Sequence, residues 1–286
     1  MNVQDLLREY LTKTRGAKNL VAAFFLANFD DIPMLTLEEV SLRVKVSLST
    51  ITRTTSELGF HGFPDFQRQV WASVKARLAP SARMGLKVPE MSENVSNQSF
   101  QHDIENVVQA SNMNTESAMN QAASLIAGAS RVYLLGIRTA STLSSFFFYS
   151  LSKIRSQVYD LNAGGTCLIE HFLEMAGDSV LFAASFPRYT KSTVEAAREV
   201  CKRGGGVVSL TDSPSSPLVP YSKIALYAPY DSVSYFNSMV APLSALNVLV
   251  VKINAILGRA GESHLVKYEN LMDEWGAIVA SRNKQS

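Results

Sequence analysis

From residue 131 onward the chain repeats one rhythm: a short, nearly unbroken apolar run, then a stretch of helical length, then another apolar run. The runs lie at 132–135, 158–161, 180–184, 207–210 and 224–228. They are rich in β-branched and aromatic residues, and most of their positions are apolar on both sides, as in strands covered on both faces. The segments between them, such as 191–203, are long enough for a crossover helix. Antiparallel neighbours need only a tight turn, whereas parallel neighbours need a crossover of a dozen residues or more. The spacing therefore predicts an α/β domain with a parallel five-stranded sheet flanked by helices.

The first part of the chain, to about residue 78, carries no such runs and reads as all-α. Leu6, Leu7, Tyr10 and Leu11 make one apolar face, and Leu20, Val21, Phe24 and Phe25 make a second that runs to Phe29. Asp30-Asp31-Ile32-Pro33 breaks the pattern. Thr36 followed by Glu39 has capping-box spacing. Leu37, Val40 and Val44 mark the next helix face, Val46-Ser47 the turn, and Ile51, Thr54 and Leu58 the inner face of a further helix, with Ser47 or Ser49 as its N-cap. One more helix is expected after Phe63, with Pro64 in its first turn and Phe66, Val70 and Val74 inward. Residues 79–99 are polar and punctuated by prolines and a glycine, as a linker is. A helix from Phe100, using Ile104, Val107 and Val108, should follow. The expected organisation is a helical domain over 1–78, a linker over 79–99 and the α/β domain over 100–286.

Apolar residues make up 47% of the chain and charged residues 18%, enough for a substantial core. A formal net charge of +2 does not by itself point to nucleic acid, so any such reading must rest on local charge. Cys167 and Cys201 have neither metal-ligand nor redox spacing, which fits a reducing cytoplasm and implies no metal or cofactor. The N-terminal stretch lacks the basic start and long apolar run of a secretory signal. The stretch 239–257 is interrupted by Pro242, Ser244, Asn247, Lys252 and Asn254, and reads as a buried helix rather than a membrane span. An amphipathic helix over 263–281, with Leu265, Val266, Leu271, Trp275 and Ile278, either covers its own domain or builds an oligomer interface.

Two short helices joined by a tight turn are the helix-turn-helix arrangement. The outer face of the second would carry Ser49, Thr50, Thr52, Arg53 and Ser56. Short hydroxyl side chains permit close approach to a groove, and arginine can bond guanine bidentately. Arg43, Lys45 and Arg53 make the local field positive, and the first amides of the second helix can hold a phosphate. The spacing alone equally suits an ordinary helical pair with exposed hydroxyls.

The run from Ser47 to Arg53, followed by Leu58-Gly59-Phe60-His61-Gly62-Phe63 and then Phe66, closely resembles the N-terminal domain of the RpiR family of regulators. The resemblance implies that Gly59 ends a recognition helix, that Phe60, Phe63 and Phe66 pin the next helix, and that His61 lies near the DNA backbone. The DNA-binding residues so expected are Arg43, Lys45, Ser47, Ser49, Thr50, Thr52, Arg53 and His61.

The second domain resembles the sugar isomerase (SIS) domain that follows this helix-turn-helix in the same family. In the run from Val132 to Leu151 a strand ends at Leu135, Gly136 turns the chain, and Thr139, Ala140 and Ser141 open a helix. Arg138 stands where the family often has glycine. The run from Val180 to Asp212 is similar to the SIS pattern of a strand, Ser-x-Ser-Gly-x-Thr, a helix and a strand ending in Thr-Asp. Ser185 and Thr190 match it, whereas Pro187 and Arg188 replace Ser-Gly. That departure removes a hydroxyl and the glycine that lets the backbone close on a phosphate. Arg188 and Tyr189 can supply other contacts, to a carboxylate or an unphosphorylated ligand. The ligand-binding residues expected are Arg138, Thr139, Ser141, Ser185, Arg188, Tyr189 and Thr190, with Ser213, Ser215 and Ser216 as turn and capping residues.

The resemblance implies a cytoplasmic transcriptional regulator of carbohydrate metabolism. Its partners would be a double-stranded DNA operator and a small sugar-derived effector, and it would form a homodimer or homotetramer with no membrane attachment. The alternative is a sugar-phosphate isomerase with an accessory helical domain. Its candidate bases, Glu170 and His171, belong to no motif with proton-transfer spacing.

Overall fold

The computed structural model describes residues 3–77, 81, 94–163, 170–171, 175 and 177–277. The chain divides into two compact units, one of residues 1–98 with 213–215 and 231–236, the other of 99–212, 216–230 and 237–286.

The first unit is helical: α1 Val3–Lys13, α2 Ala17–Ala27, α3 Leu37–Val44, α4 Leu48–Glu57 and α5 Phe63–Arg77, with a short 3-10 turn at Ile32–Met34 where Pro33 breaks the chain. One face of each helix meets in a single core that includes Leu7, Val21, Phe25, Ile32, Val40, Ile51, Phe66 and Val70. Phe25 and Phe66 are fully buried, with ring centroids 4.5 Å apart. Burying such a side chain stabilises the fold by about 1.5–3 kcal/mol, so the aromatic residues after Gly59 carry much of this small core. The capping box at the start of α3 forms: Thr36 Oγ1 accepts from the Glu39 amide at 3.1 Å, and Glu39 accepts from the Thr36 amide at 2.7 Å. The bond from the Thr36 amide to its carboxylate is the main reason Glu39 is held below the usual carboxylate range.

The second unit is an α/β sandwich. Its elements are α6 Val95–Met113, α7 Glu116–Gly128, β1 Val132–Gly136, α8 Ser141–Leu151, β2 Val158–Asp160, β3 Val180–Ala184, α9 Lys191–Lys202, β4 Gly206–Thr211, β5 Ile224–Tyr227, α10 Val240–Leu257 and α11 Arg259–Glu274. The five strands lie in the order β2-β1-β3-β4-β5, and every pairing is parallel. β1, β3 and β4 are buried throughout, whereas β2 and β5 are half-buried. The central strands, of five or six residues, are also longer than the edge strands, of three and four. One sheet face packs under α7, α8 and α10 around Leu134, Phe147, Phe182 and Leu249, and the other under α9 around Leu135, Leu181, Ala197 and Val207.

Three segments differ from the sequence reading. The helix expected from Phe100 begins at Val95, inside the stretch read as linker, and Phe100, Ile104 and Val108 are exposed rather than inward. Polar anchors set its rotation. Ser238 Oγ donates to Asp103 at 2.5 Å, and the Asn114 amide, just past the helix, donates to Tyr227 O at 2.6 Å and accepts from Tyr227 N at 2.8 Å. These bonds turn Asn106 and Ala110 inward. The last helix runs Arg259–Glu274 rather than 263–281, leaving Leu271 and Trp275 exposed, and Ile278 lies outside the described residues. α10 is long and apolar enough to cross a membrane by length and composition. Its Ala241, Ala245, Leu246, Leu249 and Ile253 are packed in the α/β core, while Val248, Val251 and Ile256 face outward, so it is buried on one side only. Most of the segment read as linker, together with Cys167, lies outside the described residues.

Candidate functional site

Two places assemble the residues singled out above, one in each unit. In the first, α3 and α4 are joined by Lys45, Val46 and Ser47. Lys45 takes the left-handed conformation, φ 58°, and its amide closes α3 on Ser41 O. Ser41 Oγ donates to Val46 O at 2.5 Å, tying the turn to α3. Ser47, not Ser49, is the N-cap of α4. Its hydroxyl accepts from the Thr50 amide at 3.2 Å and lies 2.9 Å from Ser49 Oγ and 2.8 Å from Thr50 Oγ1. Ile51, Thr54, Thr55 and Leu58 face the core, so the opposite face, with Ser49, Thr52, Arg53 and Ser56, is exposed. Thr50 is half-buried at its edge.

Gly59 has φ 96° and no atom within 4 Å of the position a Cβ would take, so glycine is needed there for its backbone alone. The Phe60 amide returns to Thr55 O, closing the helix end. His61 is exposed, and its amide donates to Asp65 Oδ2 at 2.9 Å, which is the first cause of the lowered Asp65 pKa.

Arg43, Lys45 and Arg53 are exposed, and none of their side chains has a hydrogen-bond or ion-pair partner among the described residues. The acids nearby make their hydrogen bonds elsewhere, Glu39 in its capping box and Glu57 to Lys18 at 2.5 Å and Tyr10 at 2.6 Å, and feel Arg43 and Arg53 only through their charge. The Tyr10–Glu57–Lys18 cluster, joining α1 and α2 to the end of α4, was missed in the sequence. Its members lie far apart along the chain, and no local pattern connects them. Several hydroxyls on α4 donate back to the helix, Thr52 to Leu48 O at 3.1 Å and Ser56 to Thr52 O at 3.0 Å. In those rotamers they present lone pairs outward.

The second place is the C-terminal edge of the sheet. The chain goes from β1 to the outer strand β2 and then back across to β3. The strand order therefore reverses between β1 and β3, and the crevice between the loops leaving two such strands is the usual ligand position in open parallel sheets. Gly136 ends β1, and a Cβ there would lie 2.2 Å from Ala140 O, so no side chain fits under the turn. The Gly136 amide donates to Asn162 Oδ1 at 3.0 Å, and Asn162 in turn donates to Ser144. Arg138 follows with φ 63°, then a 3-10 turn of Arg138–Ala140 leads into α8. Thr139 is exposed and Ser141 half-buried, its hydroxyl donating to Arg138 O at 2.7 Å.

After β3, Ser185 is buried and its Oγ accepts from the Thr190 amide at 3.2 Å, which shapes the loop. Arg188 stands exposed at φ 66°. Tyr189 donates to Asp212 Oδ1 at 2.7 Å, and burial, then the Asp212 charge, pushes its phenol well above the ordinary value. Thr190 is the N-cap of α9 without a capping bond. Thr211 Oγ1 donates to Ser185 O at 2.7 Å and lies 2.7 Å from Ser216 Oγ, so Ser216 serves the turn. Glu170 is exposed, and His171 lies against Tyr133 and Tyr159, each ring 5.7 Å away. Among the described residues no three His, Cys, Asp or Glu side chains cluster as metal ligands.

Comparison with known proteins agrees with this geometry. Residues 1–77 match the helix-turn-helix domain of the rpiR family, and residues 125–252 match the SIS domain. An uncharacterized HTH-type transcriptional regulator of Providencia stuartii is 20% identical over 239 residues, covering 82% of this chain and 83% of that protein. One from Clostridium perfringens is 23% identical over 219 residues, covering 76% of this chain and 78% of its own length. Among solved structures, the sugar isomerase domain of an RpiR transcription factor from Sphaerobacter thermophilus superposes with TM-score 0.60 at 24% identity, over 62% of this chain and 99% of that one. The Vibrio vulnificus NanR protein, complexed with ManNAc-6P, superposes with TM-score 0.59 at 17% identity, over 98% of this chain and 100% of its own. The chain thus carries a helix-turn-helix domain of the rpiR family followed by a SIS domain.

Proposed function

We propose that this protein is a transcriptional regulator that reads an operator through α4 and senses a sugar-derived ligand in the crevice beyond β1 and β3. The observation that carries the reading is the outer face of α4. It combines short hydroxyls, an unpaired Arg53 and a cationic approach from Arg43 and Lys45, on a helix fixed at both ends by Ser47 and Gly59. That is what major-groove entry requires: a rigid helix, small side chains near the bases and positive charge facing phosphates.

The DNA-contacting set is Arg43, Lys45, Ser47, Ser49, Thr50, Thr52, Arg53 and His61. The ligand set is Arg138, Thr139, Ser141, Ser185, Arg188, Tyr189 and Thr190. Residues 1–78 form the DNA-reading domain, 79–99 the connection, and 100–286 the sensor. The complex of NanR with a sugar phosphate supports a sugar derivative as effector here. The protein acts as a homodimer or homotetramer, since two heads reading two half-sites account for operator symmetry. It senses its ligand rather than turning it over. Effector binding shifts operator affinity because it favours one arrangement of the DNA-reading heads.

The test is retention of sheared genomic DNA by the full chain at moderate salt, followed by sequencing and elution with sugar phosphates. Recovery of a shared, two-fold symmetric site that a sugar phosphate releases or tightens is expected. A folded protein that enriches no sequence would refute the reading.

A further inference from the structure

Arg43 and Arg53, the two arginines of the DNA-contacting set, each have a carboxylate one helical turn away. Arg43 follows Glu39 by four residues on α3, and Arg53 precedes Glu57 by four on α4. Side chains four apart on a helix are neighbours, with Cβ atoms about 5–6 Å apart, and opposite charges at that spacing attract. Each arginine could therefore fold onto its own helix. Neither does: among the described residues no hydrogen bond or ion pair holds either guanidinium.

Each carboxylate is drawn away by bonds of its own. Glu39 accepts from the Thr36 amide at 2.7 Å, which is its part in the capping box. No cap accounts for Glu57. It stands in the last turn of α4, where the helix dipole disfavours a negative charge. Both of its oxygens are held from other helices. Lys18 Nζ of α2 donates to Oε1 at 2.5 Å, and Tyr10 Oη of α1 donates to Oε2 at 2.6 Å. The Lys18 and Glu57 side chains remain 36% and 39% exposed, and an ion pair so open to water adds little stability. The same helices are already joined in the core by Leu7, Val21, Phe25 and Ile51.

We propose that Lys18 and Tyr10 are positioning residues for base reading, a role that rests on α4 being the reading helix: they hold the Glu57 carboxylate off Arg53, so that the guanidinium stays free for a guanine edge. With either partner gone, a Glu57 oxygen is released one turn from Arg53. The carboxylate then competes with the base for the same N–H donors. Without Lys18 its charge is also uncompensated beside the DNA phosphates.

A contact that merely joins helices is broken equally by removing either end. A contact that restrains an acid is needed only while the acid is there. The test uses the full chain as wild type, Tyr10→Phe, Lys18→Met, Glu57→Gln, Arg53→Ala and the doubles Tyr10→Phe/Glu57→Gln and Lys18→Met/Glu57→Gln. Each is titrated against the enriched DNA site and a scrambled duplex at one salt concentration, and circular dichroism checks its fold. Tyr10→Phe and Lys18→Met should each lower the preference for the site by about 2- to 10-fold, between the strength of a helix-surface pair and the loss of a base contact. Glu57→Gln should keep the wild-type preference or raise it, and should restore it in both doubles. Should Lys18→Met fail to fold, Tyr10→Phe, which changes no charge, carries the same comparison. The proposal is overturned if Glu57→Gln lowers the preference as much as Lys18→Met or Tyr10→Phe does, if the doubles are no better than those singles, or if Lys18→Met and Tyr10→Phe leave the preference unchanged. When Arg53→Ala loses the preference, such an outcome sinks the restraint alone and leaves α4 as the reading helix. An Arg53→Ala protein that keeps the preference sinks both.

Discussion

Gly59 and Gly136 are both structural glycines, and substitution by alanine separates two physical reasons for needing one. At Gly136 the added Cβ would lie 2.2 Å from Ala140 O, 2.8 Å from Ala140 C and 3.2 Å from Ser144 Oγ. The first two are backbone atoms of the turn that opens the crevice, so no flexible side chain can swing away. Relief requires moving the start of α8 by about an ångström within a packed core, and such overpacking costs about 1–3 kcal/mol or more. The Asn162 bond to the Gly136 amide would be strained as well, so we expect at least about 3 kcal/mol in all. At Gly59 the new Cβ meets nothing within 4 Å, and only the backbone at φ 96° objects. That costs about 1–2 kcal/mol. Hydrogen exchange read by mass spectrometry reports the stability of each unit separately. Gly136→Ala should raise exchange through β1, α8 and β3 while leaving the helical unit unchanged. Gly59→Ala should act only on the helical unit, with a loss of roughly 5–15 °C in its melting temperature. Equal or reversed losses would refute the assignment of one glycine to space and the other to backbone freedom.

Other consequences follow from single contacts. Ser47→Ala removes the α4 cap and should cost about 1 kcal/mol of helical-unit stability by denaturant titration, with a parallel loss of DNA affinity. The Arg155 guanidinium lies over the end of α7 and donates to Ile126 O and to Ala129 O, the latter at 2.7 Å. Arg155→Met leaves those carbonyls without their donor and should destabilise the α/β unit by about 1–3 kcal/mol in the same titration. Burial and then the neighbouring Glu57 push the Tyr10 phenol up from 10.0 to about 12. Its protonated form is thus favoured by folding, so its contribution is complete below pH about 10 and lost as pH rises through about 12. Tyr10→Phe should flatten the alkaline limb of the helical unit's stability profile, and an unchanged limb would contradict that assignment.

Local signals made much of this legible from sequence. The capping pair Thr36 and Glu39, the glycine after α4, and the nearly unbroken apolar runs of β1, β3 and β4 each follow from residues close in the chain. The candidate site was legible as a set of residue types, not as a geometry. The sequence shows arginine at 138 and 188, but the positive φ at each depends on how the loops leave the sheet. The Ser185 hydroxyl shows the same: the residue type is legible, but the bond it accepts from the Thr190 amide, which leaves its own proton to donate, depends on how the loop enters α9. The rotation of α6 was misread for a similar reason. Phe100, Ile104 and Val108 share one stripe at helical spacing, but the Asp103 and Asn114 bonds, to residues more than a hundred positions away, turn that stripe outward. Long-range polar pairs leave no periodic trace.

The central claim, that α4 reads bases, is tested most directly on the enriched DNA site by comparing the affinities of wild type and Arg53→Ala for that site and for a scrambled duplex at one salt concentration. The account predicts a loss of about 1–3 kcal/mol on the site and little change on scrambled DNA, because a base contact carries sequence information. An equal loss on both duplexes, or none on either, would contradict it.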